Sequence, residues 1–422
     1  MPQSEQSSIA PTERAQRVQL LDALRGFALF GIILANIDYF TGGELIPEEQ
    51  RVAQFGNAAA WNVEFAITWL AGGKFYTTFS LLFGIGFAIQ LQRVQAGGQS
   101  MALYVRRLLI LFLFGLANLI LVWMVDILAL YALVGLLLLL FRRASDRTLL
   151  LGAVLLWIVP VLWMAAIVGL GFRPGAPFRE AAAAVFQYLN VQVPDGPLPV
   201  FAQGDYLMLV KLHLGEIFLR IADFVGSMRP VKVLAMFLLG LWAGRRMVHV
   251  RLDENAELLR KVAKWGFVIG LSSSGLAAWL DMTGQDGPPS MRDVFRTAAA
   301  SIGHPALALA YVSTFALLWR TDMRRRLALL APAGQMALTN YLLHALILLI
   351  VFFGVGFGLI GKLSNAWIPL MAIGLFSVQL IFSTVWLRHF KFGPAEWLWR
   401  TLTYGRRQPM LMTQSLRPTP AE

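Results

Sequence analysis

Leu21-Asp22-Ala23-Leu24-Arg25-Gly26-Phe27-Ala28-Leu29-Phe30-Gly31-Ile32-Ile33-Leu34-Ala35-Asn36 opens the first long apolar run of a 422-residue chain. At about 1.5 Å of rise per residue, Arg25 and Asn36 stand about 16 Å apart in a helix. Their spacing is close to three turns, so both side chains lie along nearly one face. An arginine at one edge of a span, aligned with an amide near the other, is costly on a lipid-facing helix. The pattern points to a path across a bilayer.

The rest of the chain extends that reading. Hydrophobic residues make up 57% of it and charged residues only 14%, against about 25% charged in soluble domains. Mean hydropathy is +0.63. Apolar runs long enough to span a bilayer fall near 20–40, 75–92, 103–122, 126–141, 148–171, 231–248, 264–280, 302–319, 335–353 and 366–387. The expected fold is all-α, a polytopic transmembrane bundle of about ten spans. Cysteine is absent, which excludes disulfides, thiolate catalysis and cysteine metal sites. Residues 1–19 are polar and the first run is long for a signal peptide, so it reads as a retained helix.

The net charge of +12 is distributed by loop. One set of connections carries Arg14 and Arg17, Arg93, Arg106 and Arg107, Arg142, Arg143 and Arg147, and Arg245, Arg246, Arg251, Arg260, Lys261 and Lys264. It continues with Arg320, Arg324, Arg325 and Arg326, then Arg388, Lys391, Arg400, Arg406 and Arg407. The alternate set is mixed or acidic, with Glu44, Glu48, Glu49, Glu64, Asp126, Asp281, Asp286 and Asp293. Its cations, such as Arg51, Lys74 and Arg292, are scattered singly. The positive-inside rule makes the basic set cytoplasmic, and ten spans then place both termini there. Charge divided among short loops does not form a nucleic-acid stripe. Five regions result: a cytoplasmic segment 1–19, a bundle 20–171, a non-cytoplasmic loop with an amphipathic helix 172–230, a second bundle 231–388, and an interfacial helix and tail 389–422. Residues 206–226 read as a helix lying on the outer surface, with an eleventh span as the alternative.

Several residues are candidates for chemistry. Asp22 and Arg25, at i and i+3, either pair at a helix end, or Arg25 joined by Arg106, Arg107, Arg142 or Arg143 grips phosphate groups. Asn36 either bonds a neighbouring helix or polarises a carbonyl. Asp126 either caps a helix or acts as a base, and Glu64 is a further outer-face acid in a loop. His344 lies mid-span, one turn after Asn340, where an ionisable group is a functional candidate. His304 starts the eighth run. No histidine pair has metal-ligand spacing, so no metal is expected.

These residues resemble the YeiB family of bacterial membrane proteins, whose C-terminal half is a domain of unknown function. The likeness rests on Leu21 to Gly26 through Asn36, on Lys74-Phe75-Tyr76 with Phe79 to Gly86, and on Asp126-Ile127-Leu128 with Tyr131. It continues in Gly334-Gln335-Met336-Ala337-Leu338-Thr339-Asn340-Tyr341 and in Gly393-Pro394-Ala395-Glu396-Trp397-Leu398-Trp399-Arg400. The opening segment is distantly similar to transmembrane acyltransferases such as heparan-α-glucosaminide N-acetyltransferase. That resemblance implies a multi-pass protein of the bacterial inner membrane using acetyl-CoA or another acyl-CoA as co-substrate. It implies that Arg25 lies near the cytoplasmic cofactor mouth and Asn36 in the acyl-transfer site. Residues 37–73 hold no histidine, so the base falls to Asp126, Glu64 or an acid near Asp38. Expected partners are membrane lipids, a CoA thioester and a glycan or lipid acceptor, with a homodimer open and no nucleic acid. The alternative function is a small-molecule or lipid transporter with a midplane site at His344 and Asn340.

Overall fold

The computed structural model describes residues 19–46, 54–56, 58–96, 100–193, 196–284 and 287–412. Arg14, Arg17, Glu48, Glu49, Arg51 and Asp286 lie outside the described residues, as do segment 1–18 and the tail after Met412. Among the described residues the regular structure is helix, apart from one isolated bridge between Phe390 and Leu411.

The first bundle holds α1 (Gln19–Thr41), α2 (Ala58–Leu70), α3 (Lys74–Gln95), α4 (Met101–Leu121), α5 (Leu128–Leu138) and α6 (Asp146–Leu170). Then follow α7 (Ala176–Tyr188), α8 (Leu198–Gln203) and α9 (Tyr206–Ser227). The second bundle holds α10 (Arg229–Arg245), α11 (Ala256–Met282), α12 (Met291–Leu318), a short broken helix α13 (Arg324–Gln335), α14 (Ala337–Phe352) and α15 (Ile368–His389). The last is α16 (Pro394–Tyr404). Every apolar run of the sequence falls on a helix. Among the described residues, six spans stand on their own by length and apolarity, and eight if each of two bent pairs is one span. α5 is short and Ser272-Ser273-Ser274 dilutes α11, which accounts for the distance from ten. The outer surface of α6 shows what surrounds the molecule: Leu155 and Leu162 are 62% and 64% exposed. Such a face needs lipid or another apolar surface against it.

Small residues set the closest helix contacts. Gly84 of α3 and Gly240 of α10 face each other's backbones, and a Cβ on either would strike main-chain atoms. Gly334 likewise lets α13 meet the backbone of α1 at Asp22. At the far end of α1 the core is aromatic, with Phe40 stacked on Trp123 at 3.8 Å and Phe201 on Phe353 at 4.6 Å.

Three expectations change. Segment 172–230 is mostly helix rather than loop, because Ala181 to Ala184 favour a helix between the Pro/Gly clusters. Its amphipathic helix α9 is present, but it joins α10 through left-handed Met228 at a 64° bend. Glu64 sits on helix α2, which lies outside the ten apolar runs, and His304 sits well inside α12, which begins at Met291, ahead of its apolar run.

The basic connections gather at one end. Arg245 donates to the carbonyls of Phe141, Arg142 and Ala144. Arg246 pairs with Asp146 at 2.6 Å and Arg320 with Asp253 at 2.7 Å.

Candidate functional site: an arginine-mouthed cavity

A cavity of about 390 Å³ opens among α1, α3, α4, α5, the α13–α14 break and α16. Its mouth holds Arg25, Arg93, Arg107 and Arg400 with the carboxylates Asp22 and Glu396. Asp22 pairs with Arg25 at 2.7 Å, and its second oxygen is buried without a partner among the described residues. Four cations against two anions leave the mouth positive. The bore beyond is apolar, and its inner end is closed by Ile127, Tyr131 and Tyr341. Such a shape suits an anionic head on an apolar arm.

Helical periodicity builds the wall. Phe79, Phe83, Gly86, Gln90 and Arg93 recur at three- and four-residue spacing, so one face of α3 lines the bore from end to end. A Cβ on Gly86 would meet nothing within 4 Å, so this glycine widens the cavity instead of packing a helix. The opposite wall comes from a break. α13 and α14 meet at 74° around Met336, which exposes the first N–H groups of α14.

α16 closes that opening. Glu396 accepts hydrogen bonds from the backbone N–H of Leu338 (2.7 Å) and Thr339 (3.1 Å) and from the Thr339 hydroxyl. Burial pushes its carboxyl up, against those hydrogen bonds, which favour the ionised form. Trp399 donates its indole N–H to the Arg107 carbonyl at 2.9 Å, and the Arg107 guanidinium lies over the Trp399 ring at 4.6 Å. The Gly393–Arg400 block, legible in sequence as an interfacial anchor, is thus also a wall of the site.

Asp126 lies just behind the inner end and is fully buried. Its Oδ1 accepts from Asn118 at 3.1 Å and from the Tyr341 hydroxyl at 3.3 Å. Its Oδ2 accepts from the backbone N–H of Ala129 at 2.9 Å, so it also caps α5. Beside it, His344 donates from Nδ1 to the Asn340 carbonyl at 3.2 Å and meets the Tyr341 ring edge-on at 5.2 Å. Asn340 also bonds Ala333 and Ser383, and Gln379 donates to the Asn340 carbonyl. The oxygens Asn340 Oδ1 and Gln379 Oε1 remain buried without partners among the described residues.

The structure therefore brings together some of the expected residues and not others. Arg25 and Arg107 share the mouth. Arg106 is exposed on α4, with its guanidinium beside Gly405 at the end of α16, and Arg142 and Arg143 are exposed on the turn after α5; none of the three lines the cavity. Helical phase separates Arg106 from Arg107. Asn36 lies half-buried one turn beyond Ile32, the last cavity residue of α1, and does not line it. Glu64 accepts a 3.4 Å hydrogen bond from Asn365, which also takes one from Thr41, in a separate polar cluster. Sequence reasoning missed Arg93 and Arg400 as companions of Arg25, and Tyr341 as the partner of Asp126. Tyr341 and Arg400 stood in motif blocks already singled out; Arg93 carried no signal beyond its charge.

Fold and site define a multi-pass helical membrane protein with an internal, positively charged cavity. Residues 243–406 match the family "Protein of unknown function (DUF418)". The uncharacterized protein YxaH of Bacillus subtilis (strain 168) is 31% identical over 421 residues, covering 96% of this chain and 98% of that one. The uncharacterized protein YeiB of Escherichia coli (strain K12) is 30% identical over 429 residues, covering 95% and 100%. An uncharacterized 39.9 kDa protein of Bacillus acidopullulyticus is 28% identical over 411 residues, covering 95% and 98%. The chain belongs to the YeiB-like family of bacterial membrane proteins, of which the DUF418 domain is a part.

Proposed function

We propose that the chain is an acyl-CoA-dependent transmembrane acyltransferase of the bacterial cytoplasmic membrane. It would move an acyl group from cytoplasmic acyl-CoA to an acceptor at the outer face. The observation that carries this reading is the cavity: arginines at the mouth, an apolar bore, and a Tyr341–Asp126 pair at the inner end. The positive-inside rule turns the arginine end to the cytoplasm. Arg25, Arg93, Arg107 and Arg400 would hold the cofactor phosphates, for which guanidinium groups are suited. The apolar bore would take the arm and bring the thioester carbonyl toward Tyr341. An acceptor hydroxyl or amine then adds to that carbonyl and gives its proton to the Asp126 carboxylate. The C–S bond breaks and the CoA thiolate leaves, taking up the proton. Asn36 has no part in this scheme.

Calorimetry on the purified chain tests it. Palmitoyl-CoA or acetyl-CoA should bind saturably. Arg107→Gln should weaken binding about tenfold, the loss of one charge-assisted contact of about 1.4 kcal/mol. Asp126→Asn should keep binding and lose transfer. Absence of any CoA or acyl-CoA binding removes the proposal.

A second reading is a transporter, favoured by the buried cluster of Asn340, His344 and Gln379 with its two unpartnered oxygens. Proton-linked uptake lost in His344→Leu would support it, and unchanged uptake would end it.

A further inference from the structure

The end of α3 opposite Arg93 carries a second basic cluster, made from cations that stand apart in the sequence. Lys74 is fully buried at the start of α3. Its ammonium donates to the Thr68 carbonyl at 2.8 Å, and among the described residues no carboxylate comes within ion-pair distance of it. His304 of α12 packs against Gly73, the residue beside it. From α10, Arg229 reaches over the Tyr76 ring at 5.9 Å, and half-buried Lys232 follows one turn later, also without a paired carboxylate among the described residues. Lys74, Arg229, Lys232 and Arg296 are the charged neighbours of the His304 imidazole. The nearby acids are committed elsewhere: Asp223 to Arg220 at 3.0 Å and Arg229 at 3.5 Å, Asp281 and Asp293 to Arg296 at 2.8 and 3.5 Å. Arg220, across the Met228 bend, keeps its Nε buried without a partner among the described residues. Two lysines without an ion-paired carboxylate of their own, facing acids already paired to arginines, are expensive inside a membrane protein unless a ligand supplies further negative charge.

This cluster adjoins the cavity. The Tyr131 hydroxyl, at the cavity's inner end, donates to the Tyr76 carbonyl and accepts from Ser80 at 3.0 Å. Tyr76 is one turn before Phe79 on the face of α3 that lines the bore. From Tyr76 to Arg93 that face runs about 26 Å, so one helix connects both basic ends through the bore.

We propose that the junction of Lys74, Arg229, Lys232 and His304 is the acceptor site, and that the acceptor carries a phosphate-type anion. The inference rests on the transfer reading for the word acceptor; the anion rests on the unpaired lysines alone. A phosphate seated there would hold the acceptor's nucleophile next to the inner end of the bore, on the side away from the cofactor mouth.

The full chain in detergent micelles, followed by thermal unfolding, provides the test. The probes are inorganic pyrophosphate and short-chain phosphatidylglycerol, each against a phosphatidylcholine control. At least one probe should stabilise the protein saturably, and Lys232→Gln should raise its apparent Kd about tenfold while Lys232→Arg restores it. Arg143→Gln, on an exposed turn outside the cavity, should leave it unchanged. A response to phosphatidylglycerol alone makes the acceptor a membrane lipid; a response to pyrophosphate makes it a soluble phosphate-bearing headgroup. No saturable response to either probe, or binding equally strong in Lys232→Gln, overturns the anion site. Anion binding that survives while no CoA thioester binds at the other end would remove the transferase reading and leave this site standing.

Discussion

Glu396 shows how one side chain can decide whether the cavity is closed. It stands on α16 but satisfies the first N–H groups of α14. Glu396→Ala would leave those donors buried and unpaired, at a cost of about 2 kcal/mol. The thermal midpoint of the micelle-bound protein should fall accordingly, and Glu396→Gln, which keeps an acceptor oxygen, should lose less. Burial raises the carboxyl above its unfolded value. The sign follows: its contribution is full below the ordinary Glu range and is lost as pH rises through the raised folded value. Stability of the wild type should therefore decline with pH across that window more steeply than that of Glu396→Gln. Equal slopes would show that Glu396 does not titrate there. In sequence this residue read only as part of an interfacial segment, because nothing local shows that its partner lies 58 positions earlier at Leu338.

Among the helices, glycines with the same look have opposite roles. Gly84 and Gly86 both sit on α3, yet Gly84 meets the α10 backbone and Gly86 faces open space. Gly84→Leu should force α3 from α10 and cost about 3 kcal/mol or prevent folding. Gly86→Leu should leave the melting temperature unchanged or higher, since it removes a helix glycine. It should also plug the bore and reduce palmitoyl-CoA binding at least tenfold. A Gly86→Leu protein that binds normally would show that ligands do not use the bore. The apolar runs made ten of the helices legible, because hydrophobic length is the strongest signal a membrane helix has, while α9 showed only as an amphipathic pattern and α2 read as loop. The bends were harder to see. Pro230 after Met228, and Pro332 with Gly334 before Met336, marked both breaks, but apolar residues continue on either side and mask them. The aligned Arg25 and Asn36 read correctly as one continuous helix. The cavity nonetheless leaves α1 at Ile32, because Tyr341 and Ile127 close it, and no single-helix pattern contains that information.

Viewed whole, the molecule has two charged ends joined by α3. The arginine end was legible because its cations lie in short loops. The lysine end was not: Lys74 read as a lone charge, and only the packing of α10 and α12 against α3 gives it company. The absence of cysteine allows the orientation to be measured directly. Arg143→Cys and Gly287→Cys place thiols at exposed positions at the two ends. In intact cells a membrane-impermeant maleimide should label Gly287→Cys and spare Arg143→Cys, and permeabilisation should expose both. The reverse pattern would invert the proposed direction of transfer.

The cavity mouth is shared by α1, through Asp22 and Arg25, and by α16, through Glu396, Trp399 and Arg400. Translation delivers these walls far apart in time. While the ribosome is still extending the chain, the first helix holds its arginine beside a chamber with no roof, and the N–H groups of α14 have only water for company. The site comes into being in a single late event, when α16 emerges and docks. A nascent chain stalled before Gly393 should thus be inserted, helical and empty-handed, and ligand binding should appear all at once rather than helix by helix.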